Sequence, residues 1–113
     1  IIKAMKPGVT YSDLQKVGET VYKKNGLGKY WFGYVGHFVG MSVHDVGSYD
    51  IPFVEGVVFN VEPILEDKDK KIHIRLEDTI VITATGSENL TPQSPIDPKA
   101  IYTLMKEKGI GEK

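Results

Sequence analysis

Apolar and polar positions change period four times along the chain, and each change marks an element. Leu14, Val17, Val21 and Tyr22 recur at spacings of three and four, which predicts an amphipathic helix over 11–25. Thr10 is placed to cap it with Asp13 three positions on, Lys23 and Lys24 suit its negative end, and Gly26 stops it. Ahead of it, Ile1 to Met5 reads as a helix tail ended by Lys6-Pro7-Gly8. Residues 34–39 form a short strand carrying His37, and 46–55 form a loop broken by Gly47 and Pro52. Val57 to Val61 is an unbroken apolar run, the mark of a strand covered on both faces. The charged stretch 65–71 is a solvated hairpin tip. Beyond it Ile72, Ile74 and Leu76 alternate with His73, Arg75 and Glu77, the period of a half-buried strand. Thr79 to Thr83 continues as a β-branched strand, 86–98 is polar and proline-rich, and Asp97-Pro98 opens a last helix over 98–106. The order helix, sheet, terminal helix is an α+β arrangement.

At 113 residues the chain holds one domain at most, and its hydrophobic content of 41% is that of a globular protein. A net charge of −1 offers no footprint for nucleic acid and no basic patch for a membrane. There are no cysteines, which excludes disulfides, thiolate metal sites and thiol nucleophiles. With no apolar run of membrane length and no visible signal peptide, a cytoplasmic protein is the expectation. The aromatic, glycine-rich stretch 28–36 (Tyr30, Trp31, Phe32, Tyr34) points to close packing rather than to a peptide-binding wall.

Chemistry is concentrated at three places. His37 and His44 sit seven residues apart among glycines, Glu62 interrupts Val57 to Leu65, and Glu77 follows Leu76. An ionised carboxylate in an apolar strand is costly unless paired or metal-bound. Arg75 or a lysine would pair Glu62 as a salt bridge. If the strands of Glu62 and Glu77 pair through the 66–71 turn, two carboxylates lie near each other and need a cation between them. Taken on residues alone, a metal site and a salt-bridge network stand level.

The wording of these stretches separates them. His37-Phe38-Val39-Gly40-Met41-Ser42-Val43-His44-Asp45 resembles the His-x-x-Gly-x-x-x-His-Asp signature of Xaa-Pro aminopeptidases and prolidases. Gly56 to Pro63 resembles their Gly-Met-Val-x-Thr-x-Glu-Pro strand, and Ile74 to Asp78 their Arg-Ile-Glu-Asp strand. Lys6-Pro7-Gly8 and Gly86-Ser87-Glu88-Asn89-Leu90-Thr91 are similar to the segments before and after, so the likeness runs in order from residue 4 to about 91.

The resemblance implies the pita-bread fold of creatinase and methionine aminopeptidase, a curved antiparallel sheet with covering helices, with this chain as the C-terminal half of one catalytic domain over 1–113. It implies two divalent metal ions (Mn²⁺, Co²⁺, Zn²⁺ or Fe²⁺) held by two aspartates, a histidine and two glutamates. His37, Glu62 and Glu77 match three of these five ligands. Glu62 would also move the proton to the leaving amine, and His44 would contact substrate and steady the tetrahedral intermediate. The reaction implied is hydrolysis of the bond between an N-terminal residue and proline by a hydroxide bridging the metals. The two aspartate ligands belong to an upstream segment, and Asp45, Asp50 and Asp78 cannot stand in for them. Glu62-Pro63-Ile64-Leu65-Glu66 also departs from the family's Glu-Pro-Gly-Ile-Tyr. The isolated chain is therefore expected to be inactive, and its uncovered sheet edge predicts a homodimer. Two alternatives keep the fold: a non-catalytic peptide- or protein-binding module, and a metal-free creatinase-like amidinohydrolase. Retention of His37, Glu62 and Glu77 argues against both.

Overall fold

A computed structural model describes residues 1–109. A single 3-10 turn, Ile2–Ala4, leads into helix α1, Tyr11–Lys24. Strands β1 (Gly36–Phe38), β2 (Val58–Val61), β3 (Ile64–Asp67), β4 (Ile72–Arg75), β5 (Asp78–Ile82) and β6 (Ser87–Asn89) follow, then helix α2, Pro98–Leu104. Four of the strands form an antiparallel sheet in the order β1-β2-β5-β6, and β3 pairs with β4 alone. Among the described residues no helix is long and apolar enough to cross a membrane.

Helix α1 starts where its cap requires. Asp13 N–H donates to Thr10 Oγ1 at 3.2 Å while Thr10 N–H donates to Asp13 Oδ2 at 3.1 Å, a reciprocal capping box. The Thr10 hydroxyl, then its backbone N–H, then Lys16 hold the Asp13 carboxyl below its usual range. A depressed carboxyl contributes stability above the ordinary aspartate range and loses it as pH falls through the lowered value. Thr10→Ala is expected to lower unfolding free energy by ~1 kcal/mol at neutral pH. In urea titrations that difference shrinks as the solution is acidified, because protonated Asp13 accepts more weakly from Thr10.

The core consists of Met5, Leu14, Val35, Phe53, Phe59, Val61, Ile80 and Ile82. Phe59 lies at its centre, edge-on to Phe38 with ring centroids 5.2 Å apart and tilted on Phe53 at the same distance. Strand β2 is buried on both faces over Phe59–Val61, as expected, with the polar Asn60 buried among its apolar neighbours. Trp31 lies against Gly18 of α1, where any side chain would strike the indole, and 4.9 Å from the Tyr22 ring. The aromatic stretch thus packs, as expected, although Phe32 is exposed.

Four expectations need correction. The 65–71 stretch is not all turn, because β3 runs to Asp67 and the connection is only Lys68–Lys71. Leu65 bridges to Trp31 and the Tyr30 hydroxyl holds the Asp67 carboxyl low, so the aromatic loop anchors what charge density suggested was solvated. Ile72, Ile74 and Leu76 are exposed rather than half-buried, since their hairpin projects past the core. Ser87–Asn89 forms a strand that its polar composition hid, recruited by pairing with Ile80–Ile82. The first five residues form a 3-10 turn in place of an α-helical tail.

One register governs the site. The β2–β5 pairs run from Val58↔Val81 to Val61↔Asp78, and the β3–β4 pairs resume at Ile64↔Arg75 with the same offset. The two ladders are one long hairpin, interrupted where Pro63 lacks an N–H and Glu62 N–H turns to Val35 O at 2.8 Å. Glu62 and Glu77 stand opposite each other in that gap.

Candidate metal centre

β1 pairs with β2 as Gly36↔Val61, His37↔Asn60 and Phe38↔Phe59. Gly36 is required there, because a Cβ would collide with Asn60 O and force the strands apart. This approach brings His37, which is buried, next to Glu62, which is 2% exposed. His37 Nε2 lies 3.4 Å from Glu62 Oε1 and 3.9 Å from Glu77 Oε1. The ring of His44 rests on that of His37, centroids 4.1 Å apart. One ligand atom each of His37, His44 and Glu62 falls within 4.8 Å of the others. The structure therefore brings together all four residues singled out in the sequence, with His44 and Glu77 on the solvent side and His37 and Glu62 inside.

Hydrogen bonding determines what this cluster can hold. His37 Nδ1 lies 3.0 Å from the carbonyl oxygen of Phe38, which can only accept. Assigned from that contact, Nδ1 is a donor, which leaves Nε2 facing two carboxylate oxygens. Two basic atoms 3.4 Å apart need a proton or a cation between them, and a divalent cation there would be coordinated by both. An imidazole with two carboxylates is a donor set suited to Mn²⁺, Fe²⁺, Co²⁺ or Zn²⁺. The residues present fit such an ion.

The surrounding groups hold the ligands in place. Tyr34 Oη donates to Glu62 Oε1 at 2.8 Å, and Arg75 Nε stands 3.3 Å from Oε2. Burial, then the hydrogen bond to Glu62, pushes the Tyr34 phenol well above its usual range, so it remains a donor. Asn60 Nδ2 donates to Glu77 Oε1, and Asn60 Oδ1 accepts from Thr79 Oγ1 at 2.8 Å, which fixes the amide's orientation. Arg75 was foreseen as a partner of Glu62. Asn60 and Tyr34 were not, although a buried asparagine inside Val57 to Val61 is itself a signal that something polar needs holding.

The nearby aspartates serve elsewhere. Asp45 accepts from the N–H groups of Val46 at 2.8 Å and Ser42 at 3.4 Å, which hold its carboxyl below the usual range and close the loop after β1. Asp78 accepts from Asn89 Nδ2 at 2.9 Å and Thr91 Oγ1 at 3.1 Å, stapling β5 to the segment around β6. Asp50 is exposed in the loop before Phe53.

Known proteins resemble this chain in sequence and fold. Residues 1–84 match the model of metallopeptidase family M24. The chain is 34% identical over 94 residues to the Xaa-Pro dipeptidase of Pyrococcus furiosus, covering 80% of this chain and 27% of that protein. It superposes on an X-Pro aminopeptidase from Thermotoga maritima with a TM-score of 0.74 at 33% identity, covering 85% of this chain and 28% of that one. The prolidase from Pyrococcus horikoshii OT3 gives a TM-score of 0.71 at 32% identity, with coverages of 84% and 28%. The chain thus spans about a quarter of the length of these relatives. Its sheets and helices form part of the pita-bread fold of the aminopeptidases and prolidases. An imidazole set against two opposed carboxylates on a shared hairpin, in a chain matched over three-quarters of its length, makes this a member of metallopeptidase family M24.

Proposed function

We propose that these 113 residues are the C-terminal part of the catalytic domain of a dinuclear metallo-aminopeptidase that cleaves between an N-terminal residue and proline. His37, Glu62 and Glu77 would hold the metals, and the remaining ligands would come from a segment outside the sequence given. The observation that carries this reading is the convergence of His37 Nε2 on Glu62 Oε1 at 3.4 Å and Glu77 Oε1 at 3.9 Å. Further support comes from an apolar groove of about 400 Å³ lined by Ile2, Val21, Val61 and Leu76, a face suited to the rest of such a domain.

Bound divalent cations would supply Lewis acidity toward the scissile carbonyl and lower the pKa of an attacking water. The chain's own residues do the rest. The Glu62 carboxylate takes up the proton released in the attack and delivers it to the departing proline nitrogen. His44, on the open side of the cluster, donates an imidazole N–H to the oxygen on which charge develops. Buried walls around His37 and Glu62 exclude bulk water and strengthen both contacts. We place the parent protein in the cytoplasm as a homodimer; separately, the outer edges of β1 and β6, unpaired among the described residues, would let the isolated 113 residues associate.

Hydrolysis of an Xaa-Pro dipeptide tests the reading. The full-length protein is expected to turn over with Mn²⁺, to stop on chelation and to recover when Mn²⁺ returns, whereas the 113 residues alone stay inactive. Turnover indifferent to chelation, or metal-dependent turnover by the 113 residues alone, would overturn it. His44→Ala refines the assignment: turnover should fall on the order of a hundredfold with bound metal unchanged. Loss of metal stoichiometry in that variant would make His44 a ligand beside His37 and Glu62.

A further inference from the structure

Glu62 is gripped at three points, and one grip comes from a residue that neither the sequence nor the proposed chemistry calls for. Its N–H is bound to Val35 O at 2.8 Å, which fixes the backbone of residue 62 opposite residue 35. That closeness brings Tyr34, the next residue back, within reach, and Tyr34 Oη donates to Oε1 at 2.8 Å. Arg75 Nε approaches the other oxygen at 3.3 Å from a side chain that is half exposed, where water screens the attraction. Of the two side-chain grips, the phenol's is therefore the stiffer. A carboxylate oxygen has two lone pairs in the plane of the group. With one of the Oε1 pairs engaged by Tyr34, the other is left facing His37 Nε2 at 3.4 Å.

We infer that Tyr34 is a positioning residue for Glu62, its hydroxyl orienting Oε1 toward His37 and thereby setting how tightly the centre holds a divalent cation. The inference rests on the proposed metal-binding role of Glu62. It assigns Tyr34 no contact with substrate. Without the phenol, the carboxylate rotates about its last torsion, held only by a solvent-screened arginine, and the oxygen presented to the metal is no longer fixed.

Tyr34→Phe removes the oxygen and keeps the ring, so the strand entry stays packed. The experiment measures Mn²⁺ binding by the full-length wild type and variant, read from the paramagnetic resonance signal of free Mn²⁺. Unfolding midpoints of both metal-free proteins and kcat and KM at saturating Mn²⁺ accompany it. The expected result is a Mn²⁺ Kd raised about tenfold or more, with kcat lowered and KM unchanged. A lowered unfolding midpoint with an unaltered Mn²⁺ Kd would show a hydroxyl serving the fold alone, and would overturn the inference while leaving the proposed function standing. A wild type that binds no Mn²⁺ would remove the proposed function and this inference with it.

Discussion

Glu62→Gln is expected to lower turnover of the full-length protein by about a thousandfold, within the span assigned to loss of a positioned acid–base group. The same variant, freed of metal, should unfold at no lower denaturant concentration than the wild type. The two halves of this expectation have one cause. In the native cluster Glu62 Oε1 faces His37 Nε2 at 3.4 Å, a contact that needs a proton or a cation between the two atoms. A glutamine amide in its place can give one N–H to His37 Nε2 and the other to the Tyr34 oxygen, while its carbonyl accepts from Arg75. The contact with His37 becomes a hydrogen bond, which offsets the loss of the acceptor that Glu62 gave the Tyr34 hydroxyl, so the metal-free fold keeps its stability. Steady-state kinetics and urea unfolding of both proteins check this. A variant that loses stability along with activity would mean that the carboxylate's pairing with Arg75 outweighs its repulsion from His37.

The largest effect on stability is expected at Phe59, not at any residue of the centre. Its side chain is fully buried and meets Tyr11, Phe38 and Phe53 at centroid distances of 6.2, 5.2 and 5.2 Å. Phe59→Ala should lower the unfolding free energy by about 3–5 kcal/mol, the range for a buried phenylalanine whose cavity does not close. That is a large share of the 5–15 kcal/mol typical of a native domain. Phe59 also pairs with Phe38 on one side and Ile80 on the other, flanking the pairs His37↔Asn60 and Asn60↔Thr79. Mn²⁺ affinity should therefore weaken in step with stability, measured by denaturant unfolding and metal titration on one preparation. A loss below about 1.5 kcal/mol would show that the neighbouring rings collapse into the space, as volume-conserving repacking does.

Local signals made part of this molecule legible before any coordinates. The 3.6-residue period and the Thr10–Asp13 pair reveal α1, because a helix is stabilised by contacts a few residues apart. The apolar run Val57–Val61 reveals β2, and the costly placement of Glu62 within it reveals that a charge partner is required. What escaped depends on distant partners. Ser87–Asn89 has no strand propensity and is extended only because Ile80–Ile82 offers its edge. Leu65–Asp67 looks like a turn until Trp31 and Tyr30 are brought alongside. Ile72 and Ile74 alternate as if half-buried, yet periodicity reports that a face is apolar and says nothing of what covers it. Tyr34 could not be distinguished from the aromatics that pack around it, since its role depends on Val35 meeting Glu62 across 27 residues of chain.

The unbroken offset from Val58↔Val81 to Asp67↔Ile72 divides the chain into places that tolerate changes of length and places that do not. Around Lys68–Lys71, beyond the last pair, added residues only lengthen the loop, whose closure cost grows slowly with size. A short epitope inserted there would leave both carboxylates where they stand. One residue added or removed between Phe59 and Glu62, or between Glu77 and Ile80, turns a carboxylate to the other face of its strand, since side chains alternate every residue. The hairpin's tip is thus the natural point for attaching a probe that must not disturb the centre.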